Sequence, residues 1–363
     1  MSRRTARLCP HRTVVAGLVF GLLSAPAALA QPSDQAMLDM TVSVSTTLMA
    51  PAYADHAAAI DQLASDVSAY CADPSPEALA QAVVALRASE LSFAGLDAFT
   101  YGPANAGYGH ARIRFWPDTS GTGARQLRRL VFKADPATLN DSAIEQGSVA
   151  LADLVTLDRL LQPDLAGDGF PCAYASAVAR HQVRIADAAV VAIEGALLPL
   201  LTRPGADNPR YQTAAEVGRA AFKSISAATQ AVLLKRLDPL LGDGPAAAHQ
   251  RALEARAPGQ AAAMMAARLV TVADVLSAPG GFATTLTPQG LEPLALGLSD
   301  RYRALADRLI ALPGDLVAYA GTDAGWVDLK SIRDELATAY SLVETTIARG
   351  MGMSAGFNAT DGD

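Results

Sequence analysis

Histidine, cysteine and aromatic side chains are scarce in this chain, and each scarcity closes off a class of function. Beyond residue 30 only His56, His110, His181 and His249 remain, and none lies within helical reach of another, so no pair has the spacing of a zinc site. There is no His-Glu-x-x-His helix, Cys-x-x-Cys pair, P-loop or Gly-x-Ser-x-Gly elbow. The Gly280-Gly281 pair lacks the strand-turn-helix setting of a phosphate loop. Aromatics make up 6% of the residues while alanine and leucine dominate, which favours helices packed through small side chains over a β-sandwich. After residue 30 no uninterrupted apolar stretch reaches the length of a membrane helix, so no membrane span is expected there.

What is present begins with an export signal. Arg3, Arg4, Arg7 and Arg12 form a basic region without an acid, Val14 to Leu23 an apolar core, and Ala28-Leu29-Ala30 a small-x-small cleavage site. Cleavage near Ala30 would leave a chain starting near Gln31. Ser2-Arg3-Arg4 resembles a twin-arginine signal but lacks the apolar residue expected after the pair. Removing the signal takes away four of 29 basic residues and none of 36 acidic ones, leaving a net charge of about −11. Such a surface argues against nucleic acid or anionic lipid as a partner. Cys9 precedes the apolar core and leaves with it, so there is no cysteine for a lipid anchor. Cys71 and Cys172 remain, and in an oxidising compartment one disulfide is the simplest outcome. Two separate buried thiols are the alternative.

Apolar residues recur at steps of three and four, as on a buried helix face. Leu79, Val83, Leu86, Phe93 and Leu96 form one stripe, and Ala186, Val190, Ile193, Leu197 and Leu200 another. Further helical runs are read at 32–70, 122–132, 142–162, 211–240, 246–257, 260–277, 291–312 and 328–350. Turn chemistry separates them, and Ser75-Pro76-Glu77 has an N-cap, a proline at N1 and a first-turn acid. The fold class is therefore all-α: a signal at 1–30, then two bundle-like halves, 31–165 and 166–363, parted near the Pro163–Pro171 cluster. The segment 99–121 breaks the pattern with Gly, Pro, aromatics, Arg112 and Arg114, and long irregular loops are often functional.

Glu90 falls on an apolar stripe, where a carboxylate needs a cation or hydrogen-bond donors. An arginine such as Arg114 would supply one; a bound ligand is the other reading. His110 lies in the irregular loop beside Tyr108, Arg112 and Arg114, and an exposed loop histidine is its plain reading. Asp118 reads as a turn or helix-cap acid. Glu254 and Arg256, two apart on the expected 246–257 helix, read as separately solvated charges.

The blocks Tyr101-Gly102-Pro103, Arg112-Ile113-Arg114-Phe115-Trp116-Pro117-Asp118, Ala124-Arg125-Gln126-Leu127, Gln146-Gly147-Ser148-Val149-Ala150-Leu151, Phe170-Pro171-Cys172-Ala173-Tyr174 and Gly356-Phe357-Asn358-Ala359-Thr360-Asp361-Gly362-Asp363 resemble, in order, those of the imelysin family. That family comprises exported bacterial proteins linked to iron uptake and once classed as peptidases. The resemblance implies a helical fold of two bundle-like halves and a periplasmic location. It also implies a metal motif, Gly-x-His-x-x-Glu, but Val149 and Ala152 stand where its ligands would be after Gly147. Asp153 is one residue further and turned about 100° around a helix.

The preferred expectation is thus a non-enzymatic periplasmic protein that serves iron acquisition by binding a small ligand or an outer-membrane transport component. Glu90, Arg114, Trp116, Asp118 and Tyr174 would line its site, where the 99–121 loop meets the Gly147 segment. No cofactor is identified; iron and haem are the candidates. The alternatives are a metallopeptidase using Asp153, His110 and Glu90, and a structural accessory to a transporter.

Overall fold

The computed structural model describes residues 31–105, 109–162, 165–167, 169–248 and 253–353. The expected export signal, the Gly356–Asp363 block, Tyr108, Pro163 and His249 lie outside them. The described residues are helical with no strand, as composition and periodicity predict.

Helices α1 (Asp34–Val44), α2 (Ala50–Ala72) and α3 (Pro76–Leu96) open the fold, followed within the irregular segment by the short α4 (Gly109–Ile113). Then come α5 (Thr122–Lys133), α6 (Asp141–Gln146), α7 (Leu154–Leu160), α8 (Phe170–Ala192) and α9 (Leu198–Thr202). The remainder is α10 (Ala214–Val232), α11 (Asp238–Leu241), α12 (Gln260–Ser277), α13 (Phe282–Thr285), α14 (Glu292–Ile310), α15 (Leu316–Ala320), α16 (Asp323–Leu342) and α17 (Ala348–Gly350).

Packing follows the apolar stripes. α2 lies against α3 and α8; α12 lies against α14, α10 and α3; α1 crosses to α10. Thus α8, although it follows residue 165, packs on α2, and α3 with α12 joins the groups. One buried apolar cluster runs from Met37 to Met351 through both halves. The disulfide Cys71–Cys172 fastens the end of α2 to the start of α8, with Cα atoms 5.5 Å apart.

Helix starts follow local chemistry. Ser75 Oγ accepts from Ala78 N at 3.1 Å ahead of Pro76, and Thr213 Oγ1 accepts from Glu216 N at 3.2 Å. Wide π-helical turns interrupt the long helices at Ser45–Met49, Ile193–Leu197, Leu233–Leu237 and Val343–Ile347. Pro51, Pro199 and Pro239 each stand two residues after one of the first three. A proline ring clashes with the carbonyl four residues back and offers no N–H, and a local widening relieves both. The turn at Val343–Ile347 has no such proline, and nothing around it explains it.

Two sequence expectations change. The 142–162 run is broken into α6, a 3-10 turn at Val149–Leu151 and α7. The 246–257 helix is replaced, among the described residues, by a 3-10 turn at Pro245–Ala247 and an irregular stretch from Leu253. There the Leu253 carbonyl accepts from Trp116 Nε1 at 3.2 Å and the Glu254 carbonyl accepts from Arg114 Nη2, so tertiary partners take groups that a helix would use. Pro258 also disfavours a helical Ala257. The second indole, Trp326, donates to the Leu241 carbonyl at 3.0 Å.

By length and composition alone, Pro76–Leu96, Phe170–Thr202 and Gln260–Thr285 are apolar enough to cross a membrane. The stricter condition of an uninterrupted apolar stretch did not anticipate them.

Candidate functional site

Where α3, the loop after α4, the π turn after α10, the 253–257 stretch and α12 converge, charged side chains are buried together. Glu254 is the centre. Its Oε1 accepts from Arg268 Nη2 at 2.8 Å and its Oε2 from Arg236 Nε at 2.6 Å, while Arg114 Nε stands 3.6 Å from Oε1. Arg114 Nη1 in turn donates to Glu90 Oε1. Arg268 also reaches Asp97 Oδ2 at 3.2 Å, and Asp97 Oδ1 meets His110 Nε2 at 2.9 Å. Three carboxyl groups and three guanidinium groups thus face one another with little exposure, and pairing is the condition under which buried charges are tolerated.

The protonation preferences follow from how many cations each acid faces. Burial pushes the Glu254 carboxyl up, but Arg236 and Arg268 outweigh it and hold the group well below the usual range. Asp97 is likewise opposed by burial and brought to about 2 by the His110 hydrogen bond and the charges of His110 and Arg268. Glu90 goes the other way: burial, aided by the negative charges of Asp158 and Glu254, raises it more than Arg114 lowers it. Arg114 itself is raised, since Glu90 and Glu254 outweigh its burial.

Beside this network lies a cavity of about 550 Å³, walled by Arg114, Trp116, Asp118, Arg159, Lys235 and Arg256 among others. A smaller one of about 260 Å³ shares Trp116, Pro117 and Lys235 with it, so the Trp116-Pro117 pair, joined by a cis peptide, partitions the two. On the smaller side the Arg236 guanidinium covers the Trp116 ring at 4.8 Å. The π turn at Leu233–Leu237 directs neighbouring cations differently: Arg236 is buried against Glu254, while Lys235 is exposed at both cavities.

The wall is fixed from both ends. Asp118 Oδ1 accepts from Thr122 N at 2.7 Å and Oδ2 from Gly123 N at 3.0 Å, capping α5, and Arg159 Nη2 approaches Oδ2 at 3.4 Å. A Cβ on Gly123 would stand 2.6 Å from Arg159 Nη1 and 3.0 Å from the Ala150 carbonyl, so a side chain here would displace Arg159 and press on that carbonyl. Asp153 Oδ2 accepts from Phe115 N at 2.7 Å, and Asp153 Oδ1 caps α7 through Thr156 N at 3.0 Å. Gln182 of α8 donates to the carbonyls of Arg112 at 2.9 Å and Ala152 at 2.6 Å. The segment carrying Val149 and Ala152 is therefore stitched to the irregular loop by hydrogen bonds.

Of the expected site residues, Arg114, Trp116 and Asp118 line the cavity. Glu90 pairs with Arg114 behind it, and Tyr174 donates to the Leu151 carbonyl at 3.1 Å, stacked on Phe170. Glu254, read as a solvated charge, is instead 6% exposed and central, because the helix expected to carry it outward does not form. His110, read as an exposed loop residue, is half-buried against Phe93 and tied to Asp97. Asp153, His110 and Glu90 are engaged separately, and the described residues hold no cluster of three or more potential metal ligands. Arg236, Arg268, Asp97 and Lys235 were missed. A lone arginine inside the apolar 260–277 helix was the available signal for Arg268.

No curated protein matches the chain. Among solved structures, an imelysin-like protein from Psychrobacter arcticum superposes with a TM-score of 0.73 at 19% identity, over 90% of this chain and 100% of that one. A provisionally named iron-regulated protein A precursor from Parabacteroides distasonis follows at 0.67 and 13%, over 88% and 96%. The imelysin (peptidase M75) family model matches residues 49–325, a span that takes in the ion network, the loop and both cavities. With most of its length matched and the fold shared, the chain belongs to the imelysin family.

Proposed function

We propose that this chain is an exported, non-enzymatic binding protein of the imelysin family that serves iron acquisition by holding a small anionic ligand in the 550 Å³ cavity. One observation carries the reading: the cavity's cations are less fully engaged than its acids. Among the described residues, Lys235 and Arg256 face it without an ion pair to a carboxylate, although the Arg256 charge is felt by Asp158. Asp118 is consumed by the α5 cap and Glu254 by the arginines, while burial holds the Asp158 carboxyl up, toward its neutral form. Unpaired cations beside an apolar wall suit an oxyanion more than a metal ion.

The link to iron rests on the family and on the name of the Parabacteroides distasonis relative. Export rests on the first thirty residues, and protein recovered from the periplasm is expected to begin near Gln31. Equilibrium titration of purified protein with haem and ferric siderophores tests the ligand, with ferric iron alone as the cation control; saturable binding of haem or a siderophore by wild type, weakened in Lys235→Gln, is expected. No binding of any removes the ligand half of the reading.

A further inference from the structure

We infer that the cavity takes a flat aromatic ligand bearing a carboxylate or similar oxyanion, its ring laid on the Trp116 face opposite Arg236. The inference rests on the anion-binding reading above and adds the shape of the ligand. Trp116 lines both cavities, but Arg236 lines only the smaller one, where its guanidinium covers the indole. With Arg236 over one face, the opposite face of the indole is the one left for a guest in the larger cavity.

Three features make that side a stacking surface. First, it is held still: the indole Nε1–H donates to the Leu253 carbonyl at 3.2 Å, and the following Asp118 is locked into the α5 cap. A ring already fixed loses little freedom on binding. Second, Arg236 draws the π electrons toward the far face, leaving the cavity face less negative. That disfavours a cationic guest, which would want the full quadrupole, and favours the electron-rich ring of an aromatic anion. Third, cations stand around the same space. Among the described residues Lys235 and Arg256 form no ion pair with a carboxylate, and the guanidinium groups of Arg114 and Arg159 belong to the same lining. Ring and oxyanion are thus answered by one cavity, and its volume of about 550 Å³ leaves room for more than one fused ring.

Calorimetric titration of the purified protein separates shape from charge with three probes: 2-naphthoate, its saturated decahydro analogue, and 2-naphthamide. Naphthoate is expected to bind roughly three- to tenfold more tightly than the saturated acid, the margin of an aromatic contact. The neutral amide should bind weakest. Trp116→Leu should erase the preference for the flat acid while the saturated acid still binds, whereas Trp116→Phe should keep part of it. Lys235→Gln should weaken both acids alike. Equal affinities for the flat and saturated acids in the wild type overturn the flat-ligand inference and leave the anion reading standing. If neither acid binds, or the amide binds as well as naphthoate, the anion reading falls and this inference falls with it.

Discussion

Surrounding one carboxylate with three guanidinium groups makes Glu254 a residue whose loss is felt by all its neighbours. Arg236 and Arg268 would keep their charge in a site where both side chains are buried. Glu254→Ala is expected to destabilise the protein by about 3–5 kcal/mol, the cost of stranding buried charge. Urea unfolding of the variant measures this, and a loss below about 1 kcal/mol would mean that water screens the arginines. His56 carries a pH effect of its own. It is buried in α2, hydrogen-bonded to Ser92 at 2.9 Å, and burial lowers it from 6.5 to about 4. Between these values the unfolded chain binds the extra proton, so stability is fully present above pH 6.5 and falls as the pH drops toward 4, by on the order of 3 kcal/mol. Comparing unfolding midpoints at pH 7 and 4.5 checks the sign, and His56→Gln should flatten the difference. The Glu90–Arg114 pair was legible in the sequence because a carboxylate on an apolar stripe demands a cation. Glu254 was not, because its burial depends on an absent helix and on arginines from distant elements.

At the scale of elements, the periodic segments were legible and the interrupted ones were not. The 260–277 run coincides with α12, since nothing local competes with an uninterrupted apolar stripe. The π turns leave the three- and four-residue rhythm almost intact, so 32–70 and 211–240 read as single helices although each contains one. The cap on α5 offers a test at this scale. Asp118→Ala removes acceptors for Thr122 N and Gly123 N and is expected to cost about 1 kcal/mol, with Asp118→Asn recovering much of it. Because Asp118 also steadies the Trp116-Pro117 wall, the alanine variant should bind ligand more weakly as well. Unchanged affinity at reduced stability would show that the wall stands without the cap.

For the whole molecule, the disulfide is the one long covalent shortcut, joining cysteines 101 positions apart in the sequence. In the chain-entropy account a loop of this length contributes roughly 4–5 kcal/mol through the unfolded state. Cys71→Ala/Cys172→Ala protein should therefore melt well below the oxidised wild type, and wild type under reductant should approach it. A melting point indifferent to reductant would show that packing of α2 on α8 suffices. Cysteine counting found this bond because only Cys71 and Cys172 lie outside the expected signal. How the bundles join was less visible, since the α3–α12 contact depends on chain separation that no local pattern encodes.

The two tryptophans give the molecule an optical property that follows from where their N–H groups point. Trp116 and Trp326 are its only indoles, and they grip the carbonyls of Leu253 and Leu241, at opposite ends of one short stretch. Nearly all of the ultraviolet emission of this chain therefore originates at the two anchor points of 241–253. With one emitter silenced as phenylalanine, the colour and brightness of the other would report the release of its own end, turning that stretch into a segment whose two attachments can be watched separately by light.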